Sequence, residues 1–209
     1  MQFVEMARDA VRQMMTGVAR WLDKFSRGKI TPNMITAIGL VAHVFIAFFI
    51  ALNYLWLAAF LLVFFGLFDA LDGALARVQH RESAIGRLFD SVSDRLKEVF
   101  IYTAMGYNII SYTGRPLLGI WAILACGTAL CVSYLNAAGD SVMKHIDKEH
   151  SANKTFRVGL ASFEVRMFVV LCGLITGRLA LAVIAITILA LLTIWQRFNF
   201  IQGKLRVQD

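Results

Sequence analysis

Four aspartates in this chain have the types and spacing to do chemistry. They stand in the pattern Asp69-x2-Asp72-Gly73-x2-Ala76-Arg77-x8-Gly86-x3-Asp90-x3-Asp94. On helices, residues three or four apart share a face, so Asp69 pairs with Asp72 and Asp90 with Asp94. The short connection between the two segments makes their helices antiparallel neighbours, and both pairs can then converge at one depth. Carboxylate oxygens so arranged are the ligands that hard divalent cations take. Two ions sharing them would offset the repulsion and build a centre for phosphoryl chemistry. Gly73 and Gly86 lack a Cβ and let a ligand or backbone come close. The competing reading is a structural ion-pair network in which Arg77, Arg87 and Arg95 offset the acids. Burying an aspartate in a membrane costs about 2.5–3.5 kcal/mol at a helix centre, and the oxygen-rich pattern favours the metal reading.

The elements that must position these acids are membrane helices. Of the 209 residues, 58% are apolar and 17% charged, and the mean hydropathy is +0.65, outside the range of soluble domains. Three cysteines exclude a disulfide scaffold, and two prolines leave little room for a loop-rich β architecture. Residues 30–68 contain no Asp, Glu, Lys or Arg, a run too long for one helix and sufficient for two. Asn53 is the expected hairpin tip, giving spans over 34–52 and 54–76, with Tyr54 and Trp56 at the interface. Further spans are expected over 88–112, 116–138, 158–177 and 179–200. Continuous apolar runs favour helices over a barrel.

Basic residues fix the orientation. Arg8, Arg12, Arg20, Lys24, Arg27 and Lys29 precede the first span; Arg77, Arg81, Arg87, Arg95 and Lys97 gather around the second connection. Lys144, Lys148, Lys154 and Arg157 fill the fourth, and Arg197, Lys204 and Arg206 follow the sixth span, while the opposite connections hold Arg115 and Arg178. Both termini and the acids are therefore expected on the cytoplasmic side of the cell inner membrane or its equivalent. The net charge of +7 belongs to this topology, and no nucleic-acid partner is expected.

Residues 1–28 read as a cytoplasmic interfacial amphipathic helix, with Met14, Met15, Val18, Leu22 and Phe25 opposite Arg12, Arg20, Asp23 and Lys24. No signal-peptide pattern is present. The expected fold is all-α and integral to the membrane: six transmembrane helices over 29–201, preceded by that helix and followed by a cytoplasmic tail, 202–209.

The eight specified positions of the aspartate pattern would match by accident about once in 10⁸ chains of this size at roughly 5% per residue. The pattern resembles the full signature of the class-I CDP-alcohol phosphatidyltransferase family, as do the Thr31-Pro32-Asn33-Met34-Ile35-Thr36 entry to the first span and the six-helix layout. The resemblance implies a metal-dependent enzyme of phospholipid synthesis that transfers a phosphoalcohol from a CDP-linked donor to a hydroxyl and releases CMP. By motif position, Asp69, Asp72 and Asp90 would hold two divalent metals, with Asp94 as general base that also meets the second metal. Gly73 and Arg77 would contact the CDP portion, Ser83 a phosphate, and Pro32, Asn33 and Thr36 the cytidine. Pro32 and Asn33 also suit a plain helix start. An all-oxygen site suits Mg²⁺ or Mn²⁺ better than Zn²⁺. A homodimer is implied by the resemblance alone.

The acceptor side falls on Asn136, Asp140, Arg157, Glu164 and Arg166, because ionisable groups within membrane spans are functional candidates. Relatives that join phosphorylated inositol often read Ser-Tyr-x-Lys-Ala-Arg-Ala-Glu at the end of the fourth span. Here the basic positions are Asn136 and Ala138, which argues against that acceptor unless Arg157 or Arg166 supplies the charge. Glu164 and Arg166 could equally pair with other helices. The favoured donor is a lipid such as CDP-diacylglycerol and the acceptor a small polar alcohol. The reverse arrangement has a soluble CDP-alcohol such as CDP-inositol donating its head group to a lipid or an inositol phosphate. A metal-ion carrier is the alternative from another class, but it would spread its carboxylates across the membrane rather than gather them at one end. The sequence around His145 and His150 matches no strong zinc pattern, and His43, Cys126, Cys131 and Cys172 read as packing residues.

Overall fold

The structure, a computed structural model, describes residues 2–146 and 159–205, with side chains over 13–142 and 159–205. Among the described residues there are seven α-helices: α1 (Gln2–Ser26), α2 (Pro32–Ala51), α3 (Leu55–Val78), α4 (Ala84–Thr113), α5 (Pro116–Ile146), α6 (Phe163–Thr176) and α7 (Leu179–Leu205). They fall into two compact units, Met1–Ile101 and Tyr102–Asp209, with α4 contributing to each.

In the first unit, α2 starts where the Thr31 hydroxyl accepts the Met34 N–H and Pro32 pre-sets the first turn. It ends at Ala51. Asn53 then adopts φ 64°, a left-handed conformation that asparagine tolerates, and α3 follows from Leu55, as the hairpin expectation required. Gly39 on α2 lies against Phe68 on α3. α3 closes through His80 at φ 52° with the Arg81 N–H bonded to the Ala76 carbonyl at 2.9 Å, a left-handed C-terminal cap. This turn carries the chain from Asp72 round to Asp90.

The helix expected over 1–28 forms as α1, but its apolar residues divide between two environments. Met15 and Ala19 are buried against Leu71, Ala74 and Leu75 of α3, with Leu22 beside them. Gln79 Nε2 fastens the junction by donating to Asp23 Oδ1 at 2.7 Å and to the Ile30 carbonyl at 2.9 Å. Met14, Val18, Trp21 and Phe25 stay exposed, and the last two rings stack at 5.3 Å.

In the second unit, small residues allow close helix contact. A Cβ on Gly106 would stand 3.0 Å from Ala122, and one on Gly173 2.6 Å from Ala182. Before α6, the backbone N–H groups of Leu160 and Ala161 donate to the Thr193 hydroxyl of α7 at 3.1 and 2.8 Å.

Among the described residues, four helices are long and apolar enough to cross a membrane: α2, α3, residues 116–142 of α5, and α7. α4 falls outside this set because its first half carries the charged residues from Arg87 to Glu98. α6 spans only 14 residues, about 21 Å at 1.5 Å per residue. The helix expected over 158–177 thus begins later, where Ser162 accepts the Val165 N–H. Large exposed apolar side chains such as Phe45, Phe60, Phe168 and Trp195 suit a lipid surround.

Candidate active site

The four aspartates lie together in the first unit, Asp69 and Asp72 on α3 and Asp90 and Asp94 on α4. Asp90 is within electrostatic reach of Asp69, Asp72 and Asp94, and Asp69 of Asp72 and Asp94. The spacing argument therefore holds: both pairs converge.

The nearest countercharge is not one of the three arginines named from the sequence, although Arg95 also acts electrostatically on Asp90 and Asp94. Lys97 Nζ donates to Asp69 Oδ1 at 2.5 Å and to Asp94 Oδ1 at 3.1 Å, and its side chain is fully buried. Arg95 turns instead to Glu98 at 2.5 Å and stands 4.0 Å from Asp94. Lys97 follows Asp94 by three positions, so its place on the same helical face was readable; its charge was assigned to the cytoplasmic connection.

The donor set fits a hard divalent ion by chemistry, being carboxylate oxygens around a cationic group that stands between two of them. As the side chains lie, among the described residues no three of Asp, Glu, His or Cys close on a single point.

Beside the acids is a cavity of about 290 Å³, near the lower end of small-ligand sites. It is lined by Asp72 and Asp90 and by all six residues assigned to the CDP donor: Pro32, Asn33, Thr36, Gly73, Arg77 and Ser83. Ala76, Gly86, Arg81, Glu82 and Arg87 complete it. Sequence reasoning used Arg81 for orientation and Arg87 for orientation and as a countercharge to the acids, yet with Arg77 they line the cavity with three arginines.

Two of these residues also carry structural bonds. The Thr36 hydroxyl donates to Asp72 Oδ2 at 2.6 Å, so it touches a metal-ligand candidate as well as the cavity. Ser83 Oγ accepts the Gly86 N–H at 2.9 Å and thereby caps α4. A Cβ on Gly86 would meet that hydroxyl at 3.1 Å and Asn33 Oδ1 at 3.4 Å. Gly73 differs: a Cβ there meets only Arg77 Nη1 at 3.7 Å, an ordinary contact on the cavity wall.

The acceptor candidates lie in the second unit. Asn136 and Asp140 are buried on α5, and their Oδ1 atoms have no hydrogen-bond partner. Arg166, 2% exposed, donates to the Ala161 carbonyl at 2.5 Å. Glu164, two residues earlier, is exposed and does not share that setting. Arg157 lies outside the described residues. Arg197 was expected to follow the sixth span, but α7 continues to Leu205 and buries it at 3% exposure. Its guanidinium donates to the Val132 carbonyl at 3.1 Å and lies within electrostatic reach of Arg166. Of the residues read as packing, His43 is buried with Nδ1 2.7 Å from the Gly39 carbonyl, while Cys131 and Cys172 are exposed.

Comparison with known proteins adds independent findings. The family described as CDP-alcohol phosphatidyltransferase matches residues 29–195. An uncharacterized protein of Aquifex aeolicus is 31% identical over 185 residues, 88% of each chain. A phosphatidylinositol phosphate synthase of Cutibacterium acnes is 28% identical over 160 residues, 74% of this chain and 71% of its own. Among solved structures, the Mycobacterium tuberculosis phosphatidylinositol phosphate synthase with CDP-DAG bound aligns with a TM-score of 0.76 and 23% identity, covering 90% of this chain and 94% of that one. The same enzyme with manganese and citrate gives a TM-score of 0.75, with 90% and 88% covered. At this identity the likeness is one of fold.

Proposed function

We propose that this chain, which belongs to the CDP-alcohol phosphatidyltransferase family, moves the phosphatidyl group of a CDP-diacylglycerol-like lipid onto a small polar alcohol. The observation that carries this reading is the single cavity in which the six donor-assigned residues meet Asp72 and Asp90. The relatives named as phosphatidylinositol phosphate synthases, one of them solved with CDP-DAG bound, support the lipid as donor.

In this reading Arg77, Arg81 and Arg87 bind the donor's phosphates by charge-assisted hydrogen bonds, and Pro32, Asn33 and Thr36 border the cytidine. Asp69, Asp72 and Asp90, with Asp94 at their edge, would hold two Mg²⁺ or Mn²⁺ ions, which would supply charge neutralisation for the diphosphate and for departing CMP. The manganese complex of the mycobacterial relative supports this assignment. Asp94 accepts the acceptor's hydroxyl proton. The acceptor oxygen bonds to the phosphatidyl phosphorus, the bond from that phosphorus to the CMP oxygen breaks, and CMP leaves with the electron pair.

On the acceptor side, the buried Arg166 and Arg197 favour an alcohol that itself carries a phosphate. The unpartnered oxygens of Asn136 and Asp140 suit hydroxyl donors. The absence of a basic residue at Asn136 and Ala138 distinguishes this acceptor site from the pattern of relatives that join phosphorylated inositol. Six membrane crossings, cytoplasmic termini, an interfacial seat for Trp21 and Phe25, a cytoplasmic catalytic site and a homodimer complete the reading.

The test is CMP release by the purified chain from CDP-diacylglycerol with Mn²⁺, against alcohols with and without a phosphate. Acceptor-dependent release that needs metal and disappears in D94N is expected. Head-group transfer from CDP-inositol to lipid, without release from CDP-diacylglycerol, would reverse the substrates; metal flux without CDP turnover would overturn the enzyme.

A further inference from the structure

The Lys97 side chain is the one fully buried ammonium among the described residues, and it lies inside the acid cluster rather than at its margin. It links two helices, reaching Asp69 on α3 and Asp94 on α4. Arg95, the neighbouring cation, is occupied by Glu98 and touches Asp94 only at 4.0 Å. Both carboxylates that the lysine holds are needed, in the proposed function, for metal binding and proton transfer. Lys97 takes one oxygen, Oδ1, of each carboxylate, and a divalent ion sharing those oxygens would stand close to the ammonium and be repelled by it. A lysine stem has four rotatable carbons and can withdraw its charge without moving the backbone.

We propose that Lys97 is a tethered cation that holds Asp69 and Asp94 together in the metal-free protein, and that a divalent ion must displace it to load the site. This rests on the metal-dependent reading above. Lys97 is then a positioning residue: it keeps two carboxylates in place and sets how tightly the ion binds.

The experiment is Mn²⁺ titration of the purified full chain, followed by electron paramagnetic resonance of free Mn²⁺, in wild type, K97M and K97R. With its competitor removed, K97M is expected to bind Mn²⁺ about tenfold more tightly or better, while K97R, which keeps the charge, stays near wild type. Metal-free K97M should melt below wild type, and Mn²⁺ should raise its melting point more. A lysine that only filled space would leave Mn²⁺ affinity unchanged or weakened in K97M, and either result overturns the proposal while sparing the metal-dependent reading. Failure of wild type and K97M alike to bind Mn²⁺ removes that reading, and this proposal with it. Should K97M not fold, amine labelling of wild type decides. Saturating Mn²⁺ is expected to speed labelling of Lys97 relative to the exposed Lys24 and Lys29, and an unchanged relative rate overturns the displacement.

Discussion

The hydroxyl of Thr36 on α2 lies 2.6 Å from a carboxylate oxygen of Asp72 on α3, in a buried setting. A hydroxyl has one proton, and the Pro32 carbonyl at 3.2 Å is the weaker claimant beside a charged acceptor. Thr36 therefore orients Asp72. T36V should reduce CMP release about tenfold and cost about 1–3 kcal/mol of stability, whereas T36S should stay close to wild type. Steady-state rates and thermal melts on the three proteins check this.

Gly86 and Gly73 should respond differently to the same substitution. G86A pushes against Ser83 Oγ and Asn33 Oδ1, so it should strain the α4 cap, lower stability by about 0.5–2 kcal/mol and raise the donor KM. G73A meets only an ordinary contact and should fold as wild type does while raising the donor KM by intruding on the cavity. Parallel melts and CDP-diacylglycerol titrations separate the two.

Arg197 and Arg87 should split the kinetics. R197M removes a buried guanidinium of the second unit and should raise the acceptor KM about ten- to hundredfold, the worth of one charge-assisted hydrogen bond of about 1.5–3 kcal/mol, with the donor KM unchanged. R87M, on the cavity wall, should raise the donor KM and spare the acceptor. Varying one substrate at saturation of the other reads both.

Chelation gives the remaining test. Excess EDTA should abolish CMP release without unfolding the chain, since Lys97 still bridges Asp69 and Asp94. Mg²⁺ or Mn²⁺ should restore turnover and Zn²⁺ should not, given an all-oxygen donor set. Circular dichroism and CMP release before and after chelation report the two halves of this expectation.

Much of the site was legible because aspartates three and four apart have a fixed meaning on a helix. Two segments bordered by an uncharged run and a short connection leave few ways to pair. The hairpin at Asn53 was legible for a similar reason, as one polar residue interrupts an apolar run. Arg197 was not: an arginine near the end of an apolar segment looks the same whether it flanks the membrane or bonds to Val132 inside the unit. The start of α6 was missed because apolar composition continues through Gly159 and Leu160, whereas the helix begins only where Ser162 caps it. Lys97 illustrates the general limit. Spacing put it beside Asp94, but only folding shows that its stem reaches across to Asp69.

That reach bears on biogenesis. A nascent polypeptide carrying several acids into a bilayer would ordinarily be penalised at the insertion step. With an ammonium encoded a single helical turn from Asp94, the polypeptide carries its own countercharge to the acids. On the metal-dependent reading, the acid cluster is thus balanced before any ion arrives, and folding and metal loading become separable steps.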